Sequence, residues 1–142
     1  MRLFLDANIL FSAAYSPGGR ALGLFRLAGI GRCGLIGSNH VIEEARRNLM
    51  VKSVDRMGEF GRLFEFLEIV PEAPPRLVTW AAGHGLPACD APVLAAAVVS
   101  RADFLVTGDR THFGHLYGLV VGGVRVISLR EALGMLLKAD DE

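Results

Sequence analysis

Short apolar runs alternate along this chain with longer stretches whose apolar residues recur at helical spacing. Leu3-Phe4-Leu5, closed by Asp6, reads as a buried strand. Residues 7–14 suit a helix that stops at Ser16-Pro17-Gly18-Gly19, a strong turn signal. A second helical pattern covers residues 20–28, and Gly34-Leu35-Ile36-Gly37 suits another short strand. Ser38 or Asn39 is placed to cap a helix carrying Val41, Ile42, Ala45 and Leu49. An amphipathic stretch follows over 53–67, and Ile69-Val70 runs into a proline-rich break at 71–75.

The rhythm then repeats. Residues 77–82 predict a short helix and 83–87 a loop. Residues 90–100 are apolar on nearly every side, as a buried helix is, and Pro92 is tolerated in its first turn. Phe104-Leu105-Val106-Thr107 reads as a strand ending at Gly108-Asp109. Val124–Ile127 is another, and Ser128 with Glu131 forms a capping box for the last helix. Short apolar strands alternating with helices predict an α/β layer fold with a largely parallel sheet. No repeat or linker interrupts the 142 residues, which are expected to form a single domain over 1–142.

Composition removes several classes of function. Hydrophobic residues make up 51% of the chain and charged ones 21%, which excludes intrinsic disorder. Fifteen basic and fifteen acidic residues cancel, so a nucleic-acid partner must be held by a local site rather than by net charge. The two cysteines, Cys33 and Cys89, fit a reduced cytoplasmic setting better than a disulfide scaffold. The longest apolar run, Ala91–Val99, is far short of the roughly 18 residues a spanning helix needs. Asp6 interrupts the first apolar run, so no signal-peptide core forms there, and no membrane role is expected.

The candidate chemistry is acidic. In an open parallel sheet ligands bind outside the carboxyl ends of the strands, and two predicted strands end there in aspartate, Asp6 and Asp109. Were those strands neighbours, their roughly 4.8 Å spacing would bring both carboxylates to one ion. Asp103 opens the strand that Asp109 closes, about 20 Å away at the strand rise, and lies outside any such site. Asp90 stands at the first turn of the buried helix, where an N-cap is the plain alternative. On the helix after Ser38, Glu44 lies roughly 115° from the centre of the apolar face and Glu43 roughly 145°. Glu44 flanks the packed face, but both glutamates also suit a solvated surface. Carboxylates gathered in one pocket repel each other, a problem that a divalent cation removes. All-oxygen donors select hard ions such as Mg²⁺ or Mn²⁺, and such a site suits phosphodiester hydrolysis.

Leu3-Phe4-Leu5-Asp6-Ala7-Asn8-Ile9-Leu10 resembles the opening of PIN-domain nucleases. The stretch 38–49 resembles their second motif and lands on Glu44. Cys89-Asp90-Ala91-Pro92 and Ala102-Asp103-Phe104-Leu105-Val106-Thr107-Gly108-Asp109 resemble the third and fourth, in the expected order. The resemblance implies a three-layer PIN-like fold with a sheet of about five strands. It also implies Asp6, Glu44, Asp90 and Asp109 as catalytic Mg²⁺ or Mn²⁺ ligands, with Asn8 and Thr107 orienting ligands or waters through hydrogen bonds. Many of its small prokaryotic members are toxin halves of toxin–antitoxin pairs, RNases that dimerise and are silenced by an antitoxin. The expectation is therefore a cytoplasmic, homodimeric, metal-dependent ribonuclease of VapC type with a cognate antitoxin. One departure stands out: where many members carry a further aspartate after the fourth acid, this chain has Thr111 and His112, which leaves one firm metal site expected and a second open.

The remaining candidates read more plainly. His112 and His115 suit loop histidines with structural or substrate contacts rather than a zinc pair. Cys89 suits a packed thiol. Arg20 and Arg110 fall in loops beside the proposed edge and suit either phosphate contacts or solvated positions. Trp80, Leu77 and the phenylalanines at 60–66 suit the core or a dimer face. Two other functions compete: a catalytically silent PIN-like RNA- or protein-binding module with splayed acids, and a phosphatase using Asp6 as nucleophile. The phosphatase lacks the second aspartate it needs, since that position is Asn8.

Overall fold

The computed structural model describes residues 1–138; the last four residues of the expected 1–142 unit lie outside them. Strand β1 (Arg2–Leu5) leads into α1 (Ala7–Tyr15) and α2 (Arg20–Gly29). β2 (Gly34–Ser38) leads into α3 (Asn39–Lys52) and α4 (Met57–Leu63), and β3 (Leu67–Val70) into α5 (Pro75–Ala82) and α6 (Ala91–Val99). β4 (Phe104–Val106) is followed by the one-turn α7 (Arg110–Phe113), then β5 (Val120–Val121), β6 (Val124–Ile127) and α8 (Leu129–Lys138).

The six strands form one sheet in the order β3-β2-β1-β4-β6-β5. All pairs are parallel except the last, where β5 and β6 are antiparallel. The chain winds outwards from β1 to β3, then returns to lay β4 on the other side of β1. By the right-handed rule for parallel crossovers, the helices of the two halves lie on opposite faces, giving three layers. Accordingly α1 packs on α2, α3 and α4, while α5 packs on α6. The reversal between β1 and β4 is the crevice where a doubly wound sheet binds ligands.

The core explains why the sequence reads so directly. Leu3, Phe4, Leu5, Leu105 and Val106 are fully buried, as continuous apolar strands between two helical layers must be. α6 buries Ala91, Val93, Leu94, Ala95, Ala96 and Ala97, and its small side chains let it lie close to the sheet.

Four expectations change. The sheet has six strands rather than about five, because β5 turns back onto β6 through Gly122 and Gly123, both at positive φ. That Val-Val-Gly-Gly-Val pattern is a two-residue hairpin signal present in the sequence. The amphipathic stretch 53–67 is not one helix: only Met57–Leu63 is α-helical, flanked by 3₁₀ turns, and Leu67 already belongs to β3. α5 starts earlier than expected, with Pro75 in its first turn. Ser38 occupies the N-cap of α3 without making a side-chain bond, and its hydroxyl is buried without a partner. The Ser128 box forms as expected, Glu131 N donating to Ser128 Oγ at 3.1 Å and Ser128 N to Glu131 Oε1 at 3.4 Å.

Candidate functional site

The register of β1 on β4 pairs Leu5 with Val106, so the two strands end level. Asp6 N donates to Val106 O at 3.0 Å, which locks the residue after β1 against the end of β4. From there Asp6 caps α1, its Oδ1 accepting from Ala7 N at 2.8 Å. Its Oδ2 accepts from Thr107 Oγ1 at 2.8 Å and from Asn8 Nδ2 at 3.3 Å. Asn8 Oδ1 accepts in turn from Gly108 N at 2.9 Å, and Thr107 Oγ1 from Asp109 N at 3.1 Å. Asn8 and Thr107 thus tie the two strand ends together through the Asp6 carboxylate.

Asp6, Glu44, Asp90 and Asp109 line one cavity of about 310 Å³ at this edge, together with Asn8, Phe11, Asn48 and Lys52. Glu43 does not reach it: its carboxylate is paired with the Arg46 guanidinium at 2.8 Å on the outer face of α3. Asp103 lies at the opposite end of β4, accepting from Arg2 N at 2.7 Å. Burial pushes the Asp6 carboxyl up to about 6, and the Asp90 and Glu44 carboxylates add to the rise against the hydrogen bonds from Thr107 and Ala7.

Asp90 occupies the N-cap position of α6, as its place in the sequence suggested, but its side chain does not cap the helix. It is only 5% exposed, makes no capping bond, and its Oδ2 is buried without a hydrogen-bond partner. The loop that delivers it is pinned to α3 by the His40 ring, whose Nε2 lies 2.8 Å from Cys89 O. Burial raises the Asp90 pKa, with Asp109 adding to it and His112 opposing.

Several side chains differ from the sequence reading. Cys89 is exposed rather than packed; local desolvation and Asp90 raise its thiol pKa, which removes the thiolate a nucleophile requires. His115 Nε2 contacts His84 O at 2.6 Å, away from His112. His112 itself sits on the acids, its Nδ1 2.7 Å from Asp90 Oδ2 and 2.8 Å from Asp109 Oδ2. Arg20 is exposed outside the cavity wall, and the Arg110 guanidinium lies 5.9 Å from the centre of the Tyr117 ring. The cation lining the cavity is Lys52, 5.5 Å from the Phe11 ring centre. Glu44, Asn48 and Lys52 follow each other four residues apart, a single stripe along α3.

The donor set fits a divalent cation. Four carboxylates share one cavity, and an Asp90 oxygen that accepts no hydrogen bond sits among them where a cation would satisfy it. Ligand atoms of Asp90, Asp109 and His112 all lie within 4.8 Å of one another.

Comparison with solved structures settles the architecture. VapBC2 from Rickettsia felis, solved bound to a DNA fragment from its promoter, matches with a TM-score of 0.65 and 17% identity over 90% of this chain and 98% of that one. PAE2754 from Pyrobaculum aerophilum matches at 0.69 and 20% identity over 97% and 96%. FitAB, solved with an IR36 DNA fragment, matches at 0.58 and 19% identity over 89% and 94%. The fold is PIN-like. No family model matches the sequence, and no curated protein does. Among the described residues no helix is long and apolar enough to cross a membrane.

Proposed function

We propose that this chain is a Mg²⁺- or Mn²⁺-dependent endoribonuclease, the toxin component of a toxin–antitoxin pair. The observation that carries this reading is the gathering of Asp6, Glu44, Asp90 and Asp109 around one cavity at the β1/β4 crevice. The silent-module alternative requires splayed acids, which this arrangement disfavours. RNA as the substrate comes from the resemblance of the four motifs to PIN-domain nucleases. The antitoxin partner is supported by the same resemblance and by the two-component names of VapBC2 and FitAB. A second, largely apolar groove of about 630 Å³ between α2 and α4, lined by Leu22, Phe25, Ile30, Leu63 and Phe66, offers surface for a partner chain. Exposed Val51 in the last turn of α3 and Val54 just beyond it are consistent with a homodimer. The cytoplasmic setting rests on the two free cysteines.

Asp6, Glu44, Asp90 and Asp109 would hold the ion. The chemistry such an ion supplies when bound is charge neutralisation at the scissile phosphate and a lowered pKa for a coordinated water. Thr107 and Asn8 fix the Asp6 carboxylate so that its oxygens are presented without rearrangement. Lys52, on the α3 wall of the cavity, is placed to meet a phosphate oxygen of the substrate backbone. No side chain forms a covalent bond to phosphorus.

The test is cleavage of single-stranded RNA by wild type and Asp6→Asn, with Mn²⁺ and with chelator. Wild type should cleave only with the ion, and Asp6→Asn should lose activity by about a hundredfold or more while melting as a folded protein. Undiminished cleavage by Asp6→Asn, or cleavage in chelator, overturns the assignment.

A further inference from the structure

We infer that His112 is a nitrogen ligand of the divalent ion and gives this site a preference for ions that accept imidazole, such as Mn²⁺ and Co²⁺, over Mg²⁺. The inference rests on the metal-dependent reading above and adds a residue that the four-acid motif set does not contain. Its geometry begins with Asp109. That carboxylate caps α7, its Oδ1 accepting from His112 N at 3.1 Å, which returns the His112 side chain over the carboxylate that caps its own helix. Nδ1 then stands 2.8 Å from Asp109 Oδ2 and 2.7 Å from Asp90 Oδ2.

The contact is at ion-pair distance but carries no hydrogen bond to the Asp90 oxygen. Asp90 Oδ2 is buried and has no hydrogen-bond partner, although Nδ1 is at ion-pair distance. A single ring N–H cannot point along two directions, and here it aligns with neither oxygen well enough for a hydrogen bond. Three donor atoms from α7, its cap and the start of α6 therefore face one another, and the buried Asp90 oxygen among them accepts no hydrogen bond. A cation bound by all three satisfies that oxygen and relieves the repulsion between the two aspartates. With oxygens alone the site suits Mg²⁺; a nitrogen donor moves the preference along the first-row series towards Co²⁺, because Mg²⁺ gains little from imidazole.

The experiment compares wild type, His112→Asp and His112→Ala without RNA. Mg²⁺, Mn²⁺ and Co²⁺ are titrated by calorimetry, and the Co²⁺ forms are examined by proton NMR. Melts in chelator establish that each variant is folded. Wild type should favour Co²⁺ over Mg²⁺, and His112→Asp should cut that preference by about tenfold or more, as expected for loss of a ligand. His112→Ala should lose Co²⁺ affinity by a similar factor and change little towards Mg²⁺. The Co²⁺ form of wild type should show a paramagnetically shifted, exchangeable ring N–H signal that both variants lack. Equal Co²⁺-to-Mg²⁺ ratios in all three proteins, with no such signal, overturn the role of His112 and leave the metal-dependent reading standing. Failure of wild type to bind any of the ions removes both.

Discussion

Asp6 accepts hydrogen bonds from Ala7, Asn8 and Thr107 while buried beside two other carboxylates, and burial is what dominates its proton affinity. With its carboxyl at about 6 in the folded protein against 3.8 ordinarily, the native state holds a proton that the unfolded chain has already released between those values. Stability should therefore be greatest below about pH 4 with respect to this group and fall as pH rises through 6. At about 1.4 kcal/mol per unit, the loss at pH 7.5 without metal is on the order of 2–3 kcal/mol. Asp6→Asn removes the titration, so in chelator it should melt higher than wild type at pH 7.5 and show a flatter dependence between pH 4 and 6.5. Parallel pH curves for the two proteins would contradict this. At the same scale the sequence displayed the acids well, because Asp6 and Asp109 end strands and Asp90 opens a helix. His112 was hidden: its approach to Asp90 depends on a four-residue helix set by the Asp109 cap and on an element some twenty residues upstream.

The β5–β6 hairpin shows how an element can be legible and still be missed. Val120–Val121 is too short to read as a strand alone, and only the Gly122-Gly123 pair marks the turn. The two glycines are not equivalent. A Cβ on Gly122 would lie 2.7 Å from Trp80 Cη2 and 2.9 Å from Val98 Cγ2, whereas one on Gly123 meets nothing within 4 Å. Gly123→Ala should cost about 1–2 kcal/mol for its left-handed backbone alone. Gly122→Ala carries that cost and about 1–3 kcal/mol more for overpacking, so chemical denaturation should rank it clearly lower. Equal losses at the two positions would show that the turn is free to move away from α5 and α6. α4 was misjudged for the opposite reason: apolar spacing runs on past Leu63, where the chain tightens into a 3₁₀ turn and enters β3.

Across the whole molecule, the arrangement follows from one topological fact: the chain reverses direction across the sheet between β1 and β4. That reversal brings Asp6 and Asp109 to adjacent strand ends, and the crossovers on either face deliver Glu44 from α3 and Asp90 from the start of α6 to the same rim. Alternating strands and helices made this layout readable before the structure, since fully apolar strands are stable only between two helical layers. The wall of the cavity was less readable, because Lys52 and Asn48 join Glu44 only once α3 is known to continue unbroken to Lys52. The most direct measurement is an anomalous difference map from a crystal soaked in Mn²⁺. A peak bounded by the carboxylates of Asp6, Asp90 and Asp109, with Glu44 facing it, is the predicted result. An empty cavity at saturating Mn²⁺, or the ion bound only elsewhere on the surface, would contradict the account.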